Sequence, residues 1–73
     1  MQRTKSNLLL ILEQAQAELE ISDAEFAKLF NVSGPMWNLV KSGRRNISMK
    51  ILAGILHKFP QFSNYVLDFI RNR

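Results

Sequence analysis

The side chains able to do chemistry in this sequence are few, and they crowd into one stretch. Ser33, Asn38, Lys41, Ser42, Arg44, Arg45 and Asn46 all fall between residues 33 and 46. Lysine and arginine donate to phosphate oxygens, and an asparagine amide can pair with adenine through one donor and one acceptor. Catalysis has no comparable cluster. His57 is the single histidine, cysteine is absent, and no carboxylate stands at ligand spacing from that histidine. Neither a metal site nor a general base is expected there. The sequence has no glycine-rich phosphate loop and no nucleophile signature. The acids Glu13, Glu18, Glu20, Asp23 and Glu25 read as a solvated face, apart from Glu25, which a helix cap uses. The expectation is a non-enzyme without cofactor or metal.

Positioning the polar cluster falls to residues 22–48. Ser22 and Glu25 form an S-x-x-E capping box, in which each side chain satisfies an orphan backbone N–H of a helix start. Phe26, Leu29 and Phe30 then share one helical face, with Ala27 beside them. Asn31 falls where the helix needs a left-handed residue to end. Ser33 is the expected N-cap of a second helix, and Pro35 occupies its first turn, where a missing N–H is harmless. Trp37 and Val40 face inward, Gly43 closes the helix, and Arg44, Arg45 and Asn46 form its exit. Two short helices about a tight turn make a helix-turn-helix unit, here about residues 22–42.

In such units the second helix enters the DNA major groove and its N-terminal residues meet base edges. The exposed positions at that end are Gly34, Pro35 and Asn38, with Lys41 and Ser42 beyond. Asn38 is the expected base reader. Ser33 and the backbone N–H groups of the helix start are expected to hold one phosphate. Arg44, Arg45 and Asn46 follow the helix and are expected to clamp a neighbouring phosphate or reach a base; Lys28, Lys50, Arg3 and Lys5 are looser backbone candidates. Leu39 is expected to face outward, and Met36 partly so. They suit thymine methyl groups or a protein partner, and both readings stay open.

These residues resemble the lambda-repressor-like, or Cro/XRE-type, helix-turn-helix domains. Ile21-Ser22, Phe26-Ala27, Val32-Ser33, Trp37, Val40, Gly43, Arg45 and Ser48 fall on the positions of that pattern, which continues through Leu52 and Ile55. The match spans residues 21–59. The resemblance implies a five-helix fold, a transcriptional regulator of bacterial or phage type, and dimeric binding, because one such domain contacts one half-site. It also makes the position of Arg45 often structural, which puts Arg44 first as a DNA contact. Three positions depart from the pattern. Asn31 replaces a common glycine at the turn. Asp23 stands where glutamine often contacts the DNA backbone, and an aspartate there would repel phosphate. Gly34 and Pro35 replace the usual glutamine or serine at the start of the recognition helix, so no base-reading code carries over.

Composition agrees with one small domain. A chain of 73 residues buries about 60% of its unfolded surface, and 47% hydrophobic content supplies a core. The net charge of +4 is unevenly spread. No acid occurs from Phe26 to Leu67, a span holding Lys28, Lys41, Arg44, Arg45, Lys50 and Lys58. That asymmetry is the footprint of a nucleic-acid binder. Residues 1–5, with Arg3 and Lys5, are expected to be a flexible basic arm.

Three further helices are expected around the unit. Helix 1 runs from Ser6 to Leu19, with Leu8, Leu12, Ala15 and Leu19 inward and Glu13, Gln14, Gln16 and Glu18 on its polar face. The apolar run Leu8 to Leu12 is too short to span a bilayer, and that polar face does not suit a membrane surface. Helix 4, Met49 to Lys58, turns Ile51, Leu52, Ile55 and Leu56 inward; its Gly54 weakens it but allows close packing. A last helix runs from about Gln61 or Ser63 to Arg71, with Phe62, Tyr65, Val66, Phe69 and Ile70 apolar. The stripe Phe62, Val66, Phe69 and Ile70 closes the core or pairs two subunits.

The reading is an all-α, five-helix, cytoplasmic protein that binds double-stranded DNA as a homodimer. The alternative is a protein-interaction module on the same fold, antitoxin-like or adaptor-like, with DNA binding secondary or lost.

Overall fold

The computed structural model describes residues 6–71. The basic arm expected at residues 1–5 lies outside them. Among the described residues the chain is all-helical: α1 Asn7–Leu19, α2 Asp23–Lys28, α3 Gly34–Lys41, α4 Met49–Lys58, a 3-10 turn Pro60–Phe62 and α5 Ser63–Arg71. None of these helices is long and apolar enough to cross a membrane.

Serines set the starts. Ser6, Ser22, Ser33 and Ser48 each accept, on the side-chain oxygen, the backbone N–H three residues on, from Leu9, Glu25, Met36 and Ile51. Each such cap stabilises by about 1 kcal/mol. At Ser22 the box is complete, since Glu25 accepts in return from the Ser22 N–H at 3.1 Å. Left-handed residues mark the ends. Asn31, at φ 58°, closes the turn after α2, and Gly43, at φ 83°, follows α3. Both agree with the sequence reading. Glu20, at φ 55°, ends α1 in the same way and was not expected to.

The core is aromatic at its centre. The Phe26 ring meets Phe30 edge-on at 5.2 Å and lies 5.0 Å from Trp37. All three are buried, as are Leu8 and Leu12 of α1, Val40 of α3, Ile51 and Ile55 of α4, and Val66 of α5. Phe59 and Phe62 stack at 5.4 Å and extend the cluster towards α5. Gly54 gives Phe30 its place: a Cβ there would stand 2.6 Å from Phe30 Cδ1 and 3.2 Å from its Cα. At Gly54, α4 thus packs directly on the ring and backbone of Phe30, in the turn after α2.

Some expected core positions are on the surface. Leu19, in the last turn of α1 before the chain reverses at Glu20, is 50% exposed, while Gln16, expected on the polar face, is buried. Leu56 is exposed because the inward seam of α4 runs Ile51, Leu52, Ile55 and on to Phe59. On α5 only Val66 and Phe69 pack inward, in line with Phe62 of the preceding 3-10 turn, leaving Tyr65 and Ile70 exposed. Of the stripe read as closing the core or pairing two subunits, Phe62, Val66 and Phe69 lie in or against the core.

Candidate functional site

The polar cluster is presented by the corner formed by α2, its turn and α3. The corner is tight because Val32 donates its N–H back to the Ala27 carbonyl at 3.2 Å and Asn31 donates to Lys28. It is also tight because of Gly34. A Cβ at Gly34 would stand 3.3 Å from Ala24 Cα, so the glycine lets the start of α3 approach α2. Gly34, expected as an exposed DNA-facing position, is half-buried with its bare face towards Ala24.

The expected phosphate cradle at the start of α3 is smaller than the sequence suggested. Pro35 has no N–H, Met36 donates to Ser33 Oγ at 3.1 Å, and Trp37 donates to the Ser33 carbonyl at 3.0 Å. The Gly34 N–H and the Ser33 hydroxyl proton are what the first turn still offers a phosphate. Beside it lies a shallow hollow lined by Asn31, Ser33, Met36, Ser48 and Lys50, which brings Lys50 to the same side of the molecule.

Along α3 the polar side chains converge on Asp23, the first residue of α2. Lys41 Nζ donates to Asp23 Oδ1 at 2.6 Å, and Asn38 Nδ2 donates to Asp23 Oδ2 at 3.1 Å. Gln16, reaching over from α1, donates Nε2 to Asp23 Oδ1 at 2.8 Å and to the Ile21 carbonyl at 3.2 Å. The Trp37 indole N–H closes the chain by donating to Gln16 Oε1 at 2.8 Å. Donors from Lys41, then Gln16, then Asn38 hold the Asp23 carboxyl down from its ordinary 3.8 to about 2. The repulsion expected between Asp23 and phosphate is offset, because the carboxylate charge is met within the protein by the Lys41 ammonium. Lys41, expected on phosphate, is held by Asp23.

The exit loop folds back on the last turn of α3. The Leu39 carbonyl accepts the N–H of Arg44 at 2.9 Å, that of Arg45 at 3.2 Å and the Ser42 hydroxyl at 3.1 Å. Ser42, expected as a DNA contact, thus spends its proton on that carbonyl. Arg44 and Arg45 are set directly beyond α3, exposed and without a side-chain partner among the described residues. Asn46, also exposed, borders a different hollow, with Ser6 and Asp68. Leu39 and Met36 are half-buried, less outward than expected for Leu39.

Sequence reasoning placed Gln16 on the polar face of α1. A signal was present: Gln16 lies four residues after Leu12, on the inward column, and a polar side chain there must find partners. Its partners could not be named, since they lie on other helices, Asp23 on α2 and Trp37 on α3.

Compared with protein-family models, curated proteins and solved structures, the chain matches none.

Proposed function

We propose that this chain is a non-enzymatic, sequence-specific DNA-binding regulator of the lambda-repressor-like helix-turn-helix type, with α3 as its recognition helix. The observation that carries this reading is the Leu39 carbonyl, which gathers the exit loop so that Arg44 and Arg45 stand free and exposed at the end of α3. Two guanidinium groups beside a helix that offers Asn38, in a stretch without acids, suit a phosphate and an adjacent base edge. Arg44 and Arg45 neutralise phosphate beyond the end of α3, Lys50 adds a charge beside its start, and Asn38 reads a base. A homodimer supplies two half-sites about 34–36 Å apart. The protein acts in the cytoplasm, where its DNA is.

A mobility-shift titration against a random duplex at two salt concentrations tests the reading. Wild-type affinity is expected to fall steeply with salt, and Arg44→Ala to weaken every duplex alike and flatten the slope of log K against log salt by about 0.9. Affinity that does not respond to salt, or no shift at all, overturns it.

A second reading has its own observation. Gly34 and Pro35 offer no side-chain hydrogen bonds at the start of α3, and Met36 and Leu39 are apolar and partly exposed. A protein-interaction module of antitoxin or adaptor type fits those residues. It predicts that Met36→Ala or Leu39→Ala abolishes capture of a protein partner while Arg44→Ala leaves it intact.

A further inference from the structure

We propose that Asp23 is a positioning residue that fixes which edge of the Asn38 amide faces outward and restrains Lys41 from indiscriminate phosphate binding. The proposal rests on the DNA-binding reading above and assigns adenine as the base that Asn38 reads.

The argument is one of donor and acceptor polarity passed along a chain of side chains. An amide presents an acceptor on one side and two donors on the other, and a half-turn exchanges them. The Trp37 indole N–H can only donate, so Gln16 must turn Oε1 towards it. That leaves Gln16 Nε2 facing Asp23 and the Ile21 carbonyl, and both its protons are used. Gln16 therefore has a single satisfied orientation. Asp23, ionised above about pH 2, can only accept. Its Oδ1 takes Gln16 and Lys41, and its Oδ2 takes Asn38 Nδ2. An acceptor at that point fixes the Asn38 amide in its turn. One N–H points at Asp23, which leaves the other N–H and Oδ1 for a ligand. One donor beside one acceptor is the complement of adenine N7 and N6 in the major groove.

The same carboxylate explains Lys41. An ammonium free to swing would meet the nearest phosphate on any duplex. Held at 2.6 Å by Asp23, it adds little to sequence-independent affinity. Asp23 thus trades non-specific attraction for a defined base-reading edge. An asparagine in its place could accept or donate, and would satisfy either flip of Asn38.

The test uses the full chain and a duplex selected by the wild type from a random pool. Asn38→Ala on a panel of single base-pair changes in that duplex identifies the position Asn38 reads. Asp23→Asn is then expected to lower the discrimination at that position on the order of tenfold. Its salt slope is expected to steepen by about 0.9 as Lys41 turns to a phosphate. In the Asp23→Asn, Asn38→Ala double variant, discrimination should fall no further than in Asn38→Ala alone. A readout that needs no variant to fold is the wild-type Asn38 side-chain amide in 15N spectra, where one of the two protons should exchange slowly. Equivalent, fast-exchanging protons overturn the proposal. So does a selective wild type whose discrimination and salt slope survive Asp23→Asn, and in that case the DNA-binding reading stands. A wild type with no salt-dependent duplex binding overturns both.

Discussion

Trp37 serves two roles at once, and they can be separated. Its ring lies at the centre of the aromatic core, and its N–H is the first link in the chain through Gln16 to Asp23. Trp37→Ala removes both and should destabilise on the order of 3–5 kcal/mol, enough to threaten so small a fold. Trp37→Phe keeps most of the ring but leaves Gln16 Oε1 buried without its donor, which should cost about 1–3 kcal/mol. Thermal melts of the two variants beside the parent decide it: equal melting of Trp37→Phe and parent would mean that the indole N–H contributes nothing. Asp23 makes a prediction about acid. Its folded-state pKa is depressed, so the stability it adds is complete above its ordinary 3.8 and is lost as pH falls through about 2. Melting temperatures followed from pH 5 downward should drop through that window for the parent, and less for Asp23→Asn. A parent curve that parallels the variant's would remove Asp23 from the account.

At the scale of the helix, local chemistry was legible and neighbours were not. Ser22 with Glu25, Ser33 ahead of Pro35, and Ser48 announce helix starts because a cap needs only residues a turn away. Asn31 and Gly43 announce ends for the same reason. Glu20 adopts a left-handed conformation with nothing in its side chain to advertise it. The burial of Gln16 and the pairing of Asp23 with Lys41 depend on which helices come together, and a family pattern that places glutamine at residue 23 pointed the other way. Gly54 was readable as a weak point of α4 and a site of close approach, yet not as the seat of Phe30. Those two readings oppose each other in Gly54→Ala. Alanine favours the helix by about 1 kcal/mol, but its Cβ would overlap a ring and crowd a backbone atom of Phe30. Such overpacking costs about 1–3 kcal/mol, so the net effect should be destabilising. A higher melting temperature for Gly54→Ala would mean that α4 can shift away from Phe30.

For the molecule as a whole, α5 has more to do than present a surface. Val66 is buried and Phe62 and Phe69 lie against the core, so removing the helix to test for a dimer would open the monomer. Ile70, 49% exposed, is the residue of the expected stripe that can be altered without that damage. If two copies pair through α5, the full chain should sediment as a dimer at tens of micromolar and Ile70→Lys as a folded monomer whose melting temperature, unlike the parent's, does not depend on concentration. Identical sedimentation of the two would place any pairing elsewhere. The packing of α5 against α1 also has a meaning for the order in which the protein is made. A ribosome delivers α1 first, and Leu8, Leu9 and Leu12 leave the exit tunnel with their covering helix still unwritten. The corner of α2 and α3 can assemble as it emerges, because its contacts are close in sequence. The apolar side of α1 is not fully covered until α5 is out, so during synthesis the nascent chain carries Leu8, Leu9 and Leu12 partly bare while the earlier helices gather on them.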